Sequence, residues 1–148
     1  MPKAKMPVKI QPIRPTDHAA WRGLWADYLE FYGTTVPDAV YATTFAQLTG
    51  NDAQDFHGLV AVQDEVPVGL VHLLYHRHCW KIENVCYLQD LFVSPALRGT
   101  GAGRKLIEAV YAAANAAGAP TVYWMTQDDT TIGRQLYDRV ARVTNFIK

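Results

Sequence analysis

Apolar positions along the chain change period several times, and each change marks an element. Val8 to Arg14 alternates weakly and stops at Pro15, which reads as a strand. Thr16 or Asp17 can then cap a helix, since Trp21, Leu24, Trp25, Tyr28, Leu29 and Tyr32 recur at helical spacing before Gly33. A second helical pattern starts near Pro37, a good first-turn residue, and passes through Tyr41, Phe45 and Leu48 to Gly50. Three strand-like runs follow, Phe56 to Gln63, Val66 to about His78 and Val85 to Val93, separated by Asp64-Glu65 and by the polar stretch Lys81 to Asn84. They predict an antiparallel meander.

Pro95 and Gly99 break the third run, and Gly101 to Ala117 reads as a helix with Leu106, Ile107, Val110, Ala113, Ala114 and Ala117 on one side and Gly118 as its stop. Thr121 to Thr126 predicts a buried strand, Thr130 to Val140 a short helix and Val143 to Ile147 a final strand. The order β-α-α-β-β-β-α-β-α-β describes an α/β fold, a mixed and mainly antiparallel sheet flanked by helices. No linker, internal repeat or low-complexity tract interrupts it, so residues 1–148 are expected to form a single domain, with residues 1–7 expected as a flexible extension.

Composition narrows the function classes. The 148 residues are 49% hydrophobic and 11% aromatic, enough for one real core. A formal charge of zero argues against a dedicated nucleic-acid binder. No apolar run is long enough to span a membrane, and the N-terminus, with Lys3, Lys5 and Lys9, lacks the apolar core and cleavage site of a secretory signal. A cytoplasmic location is expected. Cys79 and Cys86 could meet across a hairpin, but two cysteines in such a chain are usually free thiols.

The chemistry concentrates between Tyr87 and Gly103, where Y-L-Q-D-L-F-V runs through S-P-A-L into R-G-T-G-A-G and straight into a helix. Amides at a helix N-terminus are unpaired and sit at the positive end of its dipole, while Gly99, Gly101 and Gly103 can admit a phosphate and Arg98 adds charge. The same glycines can equally serve a tight turn or close helix packing. A P-loop is excluded because the Gly-Lys-Ser/Thr ending is absent, and a dinucleotide fold expects its glycines after the first parallel strand, not after a meander.

R-G-T-G-A-G, with Arg98, Gly101 and Gly103 at its first, fourth and sixth places, resembles the pyrophosphate-binding motif of GNAT superfamily acetyltransferases, and the element order matches. The resemblance covers nearly the whole chain. G-A-G-R-K-L-I-E-A-V-Y and T-V-Y-W-M-T look closest to the branch of small polyamine, amino-acid and histone-tail acetyltransferases. It implies acetyl-CoA as acetyl donor in a cleft between the fourth and fifth strands. Leu91 and Val93 would offer backbone contacts to the pantetheine arm, and Arg98, Gly99, Thr100, Gly101, Ala102, Gly103 and Arg104 would wrap the pyrophosphate. A backbone amide near Phe92 would hold the tetrahedral oxyanion. Thr130 stands where relatives often carry a pantetheine-binding asparagine, and Gly133 follows on the same helix. Tyr137, in R-Q-L-Y, aligns with the tyrosine that protonates the departing thiolate, although Ile132, Leu136 and Tyr137 could also form a core stripe.

The resemblance has a gap at the base. Polyamine-acetylating relatives read Tyr-Leu-Glu-Asp, and that glutamate draws a proton from the amine. Here the position is Gln89, which has no basic group. An alkylammonium of pKa about 10.4 needs one near neutral pH. Strand alternation groups Tyr87, Gln89 and Leu91 against Leu88, Asp90 and Phe92, so Asp90 does not simply replace the glutamate. His72, Leu74, His76 and His78 share a face of the neighbouring strand, and His72 or His76 acting through water is the expected acceptor. A metal is not expected, since ligands two residues apart on a strand lie about 7 Å from each other. Tyr28, Phe31 and Tyr32 would wall the acceptor groove together with Gln89.

The expected activity is transfer of an acetyl group from acetyl-CoA to a primary amine of a small molecule, polyamine or amino-acid-like, by direct attack. The rivals are a protein or histone-tail lysine acetyltransferase and a non-catalytic acyl-CoA sensor. A homodimer is expected.

Overall fold

The computed structural model describes residues 7–126 and 131–144. Among the described residues five strands form one sheet in the order β1-β2-β3-β4-β5. They are β1 (Lys9–Pro12), β2 (His57–Gln63), β3 (Val66–His76), β4 (Val85–Val93) and β5 (Val122–Tyr123). The first four pair antiparallel and β5 joins β4 parallel. The helices are α1 (His18–Phe31), α2 (Asp38–Leu48), α3 (Ala102–Ala116) and α4 (Thr131–Val140). Among the described residues no helix is long and apolar enough to cross a membrane.

The periodicity that predicts α1 also decides its packing. Trp21, Leu24, Trp25 and Leu29 are buried on one stripe and meet Tyr41 and Leu48 of α2 over Val60, Leu70 and Phe92 of the sheet. On the opposite face Leu106, Ile107, Val110 and Ala114 of α3 pack on Ala61, Val71, Leu73, Cys86 and Leu88. The sheet therefore has a core on each side, and what pierces it connects two otherwise separate layers.

Asp17 does not cap α1 through its side chain; its buried carboxylate accepts from the Arg14 backbone N–H at 2.8 Å in the 3₁₀ turn Pro15–Asp17. Asp64 and Glu65, at φ 51° and 66°, form the tight β2–β3 turn without a glycine. Both cysteines are free, Cys79 exposed and Cys86 buried. The expected strand Thr121 to Thr126 is reduced to Val122–Tyr123. Of the expected final strand, Val143 and Thr144 are not in a strand, and residues 145–147 lie outside the described residues.

Strict alternation fails along β4. The register passes from Leu73↔Leu88 to His72↔Asp90, leaving Gln89 as the extra residue of a bulge. Cys86 and Leu88 pack toward α3 before it, as Leu91 and Val93 do after it, while Phe92 joins the core beneath α1. Leu88 and Asp90 therefore do not share a face. The bulge turns Asp90 toward α1 and leaves Gln89 exposed.

Candidate active site

The site begins where the sheet parts. β4 and β5 pair only at Cys86↔Val122 and Tyr87↔Tyr123, and beyond them that edge of β4 has no strand beside it up to Val93 among the described residues. Ser94 N–H donates to Val68 O at 2.8 Å, and Leu70 faces Phe92 two positions earlier in the same register. Antiparallel ladders alternate bonded and non-bonded pairs, so the Phe92 amide belongs to the β3 ladder, and the N–H and C=O groups of Leu91 and Val93 point to the open edge. The Val93 carbonyl does turn outward, accepting from Arg98 Nε at 3.3 Å. Of the amides near Phe92 expected at the oxyanion, that of Phe92 itself is committed to the β3 ladder, while that of Leu91 faces the gap. Phe92 contributes its ring to the core.

The glycine turn closes one end of the gap. Gly99 and Gly101 have φ of 82° and 88°, which only glycine adopts without strain, and an added Cβ at either would meet open space. Gly103 has a different reason: its Cβ would lie 3.2 Å from Leu136 Cδ2 of α4. Gly101 is the N-cap of α3, so the N–H groups of Ala102, Gly103 and Arg104 have no carbonyl inside the helix. Ala102 is buried, whereas Arg98, Thr100 and Arg104 are exposed at the rim. The Arg98 guanidinium lies 5.6 Å from the Phe92 ring centroid and 5.8 Å from that of Phe31, while Arg104 Nε pairs with Glu108 at 2.9 Å. This cradle of amides and arginines fits a pyrophosphate. Thr130 lies outside the described residues, and Gly133 is carried on α4.

On the α1 face, His72 and Asp90 meet with Nδ1 2.8 Å from Oδ2, both side chains at least nine-tenths buried. The Trp21 indole N–H donates to His72 Nε2 at 2.9 Å. Nε2 is therefore an acceptor without hydrogen, and Nδ1–H donates to Asp90. His72 has no lone pair left for a substrate or a water, which overturns its reading as the base. Gln89, exposed on the bulge, does not enter this network. His76 donates from Nδ1 to Arg77 O at 2.7 Å, and its Nε2 lies 2.7 Å from the Tyr123 hydroxyl.

Aromatic side chains surround the carboxylate. Burial, the charge of Asp90 and a hydrogen bond to it push Tyr28 well above an ordinary phenol. Tyr32 is raised by burial and then by Asp90, and Tyr87 by burial, Tyr123 and Asp90. Tyr28 and Tyr32 have ring centroids 5.0 Å apart, and Tyr87 stacks on Tyr123 at 4.9 Å. Phe31 is 58% exposed at the rim. Tyr137 packs on Trp124 at 5.5 Å among the α3-side residues, and burial and then Tyr32, just past the end of α1, raise it. Asp90, Tyr87 and Tyr123 were missed from sequence as site groups; an acid directly before the apolar run L-F-V was the available signal.

The sequence pattern of the Acetyltransferase (GNAT) family matches residues 19–141. The chain is a GNAT acetyltransferase. It is 37% identical over 142 residues to the D-amino-acid N-acetyltransferase HPA3 of Saccharomyces cerevisiae (strain ATCC 204508 / S288c), covering 95% of this chain and 88% of that protein. The GNAT fold is shared with AAC(6')-Iy, solved in complex with the bisubstrate analog CoA-S-monomethyl-acetylneamine, at TM-score 0.80 and 22% identity over 97% of this chain and 99% of that one. A ribosomal-protein-alanine N-acetyltransferase from Brucella melitensis biovar Abortus 2308 superposes at TM-score 0.77 with 21% identity, covering 96% of each chain. This GNAT chain is accordingly an enzyme that acetylates an amine. Among the described residues no cluster suited to a metal ion occurs.

Proposed function

We propose that this enzyme moves the acetyl group of acetyl-CoA to a primary amine of a small molecule, of the polyamine or amino-acid kind, by direct attack. The observation that carries the reading is the edge of β4, where the Leu91 and Val93 amides face a gap ending at the N-terminus of α3. The pyrophosphate would lie on the amides of Ala102 to Arg104 with Arg98 and Arg104 beside it, and the pantetheine arm would take the place of a missing strand against Leu91 and Val93.

That placement brings the thioester to the parting of the sheet. The Leu91 N–H would hold the developing oxyanion, an interaction worth more in the transition state than in the ground state. Tyr137, kept protonated by burial, would supply the proton to the leaving thiolate. The acceptor would approach from the α1 face past Tyr28, Phe31 and Tyr32, whose rings suit a cationic amine. The small-molecule class is supported by the amino-acid acetyltransferase at 37% identity.

The test is thiol release from acetyl-CoA with a panel of polyamines, D- and L-amino acids and lysine peptides. Turnover with the small amines is expected. Turnover confined to peptides would overturn the small-molecule reading, and acetyl-CoA binding without turnover on any amine would overturn the enzyme reading.

A further inference from the structure

Three side chains from α1, β3 and β4 form a continuous polar chain in an otherwise apolar layer, with Tyr28 beside its end. The Trp21 N–H donates to His72 Nε2 and His72 Nδ1–H donates to Asp90 Oδ2, while the Tyr28 phenol lies near enough to Asp90 for the carboxylate to raise it. A buried carboxylate is expensive unless its oxygens are hydrogen-bonded, and Asp90 accepts from His72 Nδ1–H. Such a group beside an active site needs a use. Asp90 directly precedes Leu91, so the carboxylate and the proposed oxyanion amide are consecutive on β4, placed by the bulge at Gln89. The Asp90 side chain keeps 10% of its surface open.

Resting on the acetyl-transfer reading above, we propose that Asp90 accepts the acceptor ammonium's proton through the Tyr28 hydroxyl, with His72 and Trp21 as positioning residues. The ammonium gives an N–H proton to the Tyr28 oxygen as the Tyr28 proton moves to the carboxylate. The freed lone pair forms the C–N bond to the acetyl carbon, the C–S bond breaks with its electrons on sulfur, and Tyr137 protonates the sulfur. The second nitrogen proton returns to the Tyr137 oxygen, and Asp90 releases its own to water as product leaves, so one proton is released per turnover. Gln89 is then no defect, because the proton leaves one residue further along the strand.

The titratable groups near Asp90 are His72 from β3, Tyr28 from α1, Tyr32 just past its end and Tyr87 from β4, and Tyr137 of α4 adds to the shift of Tyr28. The experiment compares wild type, Tyr28→Phe and Asp90→Asn on the best amine of the panel. Acetyl-CoA affinity by calorimetry should be unchanged, while acceptor-dependent turnover near neutral pH falls about a hundredfold or more. In both variants the remaining rate should climb about tenfold per pH unit toward the amine's own pKa, because only free base then reacts, whereas wild type has a flatter profile. If Asp90→Asn does not fold, Tyr28→Phe decides. His72→Asn, whose amide can still donate to Asp90, should keep more turnover and a flatter profile than His72→Leu. An active wild type whose Tyr28→Phe variant matches it in rate and pH profile overturns this inference alone. A wild type inactive on every amine overturns the acetyl-transfer reading and this inference with it.

Discussion

Trp21 and His72 are joined across α1 and β3 by one hydrogen bond, indole N–H to Nε2 at 2.9 Å, and that bond fixes which ring nitrogen carries hydrogen. The neighbouring Trp25, buried in the same stripe, has no partner for its own indole N–H among the described residues. The two tryptophans should therefore respond differently to the same change. Trp21→Phe leaves His72 Nε2 buried and unsatisfied, which costs about 1–3 kcal/mol beyond the lost packing, whereas Trp25→Phe removes a group that was already unpaired. Urea titration should show Trp21→Phe as the more destabilising by that margin. Equal losses, or the reverse order, would contradict the bond's importance.

The glycine turn makes a separate prediction about acetyl-CoA. Gly101→Asp puts an L side chain at φ 88°, and its carboxylate enters the open space beside the helix N-terminus. Strain at this position costs about 1–2 kcal/mol, and the negative charge opposes a bound pyrophosphate. Calorimetry on the folded variant should show acetyl-CoA binding weakened at least tenfold. Unchanged affinity would move the phosphates away from this turn.

Burial of Cys86 predicts an alkaline weakness. Its thiol is pushed up to about 11 by burial, so the folded chain holds a proton that the unfolded chain releases from about pH 9 upward. Stability from this group is complete below the unfolded value and is lost as pH rises through that interval. The buried tyrosines shift in the same direction and add to it. Thermal melts should shift downward between about pH 9 and 11. At neutral pH a thiol reagent should modify exposed Cys79 quickly and Cys86 only on unfolding. Rapid modification of both thiols in the native protein would refute this burial.

Much of this architecture follows from local patterns. Trp21, Leu24, Trp25 and Leu29 mark the buried side of α1 by spacing alone, and Val85–Val93 matches its apolar run at both ends. R-G-T-G-A-G marks both a turn and a helix start, as the φ values of Gly99 and Gly101 require. What could not be read depends on pairing. A bulge exists only relative to a partner strand, so counting every second residue from Tyr87 gives the wrong face for everything beyond Gln89. The same register sets Asp90 opposite His72, residues 18 apart in sequence, and no local period encodes that meeting. The choice of Leu91 over Phe92 as the amide at the gap is also a ladder property, since side-chain patterns say nothing about which way an N–H points.

Tyr137 carries the last prediction. It sits on α4 against Trp124, and burial, with Tyr32 adding to it, raises its phenol above the ordinary value. The hydroxyl therefore stays protonated through neutral and mildly alkaline pH, which a proton donor to the thiolate requires. Tyr137→Phe retains the ring and its contact with Trp124, so folding and acetyl-CoA affinity should survive. What it removes is one interaction made in the transition state, and general acid catalysis is worth about a hundredfold or more. A thiol has a pKa of about 8.5, so below that pH solvent acids can still trap the thiolate and part of the loss is recovered. As pH rises those acids become scarce while Tyr137 remains protonated, so the ratio of wild-type to variant turnover should widen with pH. Thiol-release assays from pH 6 to 9 on the best acceptor would measure that ratio. A ratio near one across the range would reduce Tyr137 to a packing residue and leave the thiolate to be protonated by water.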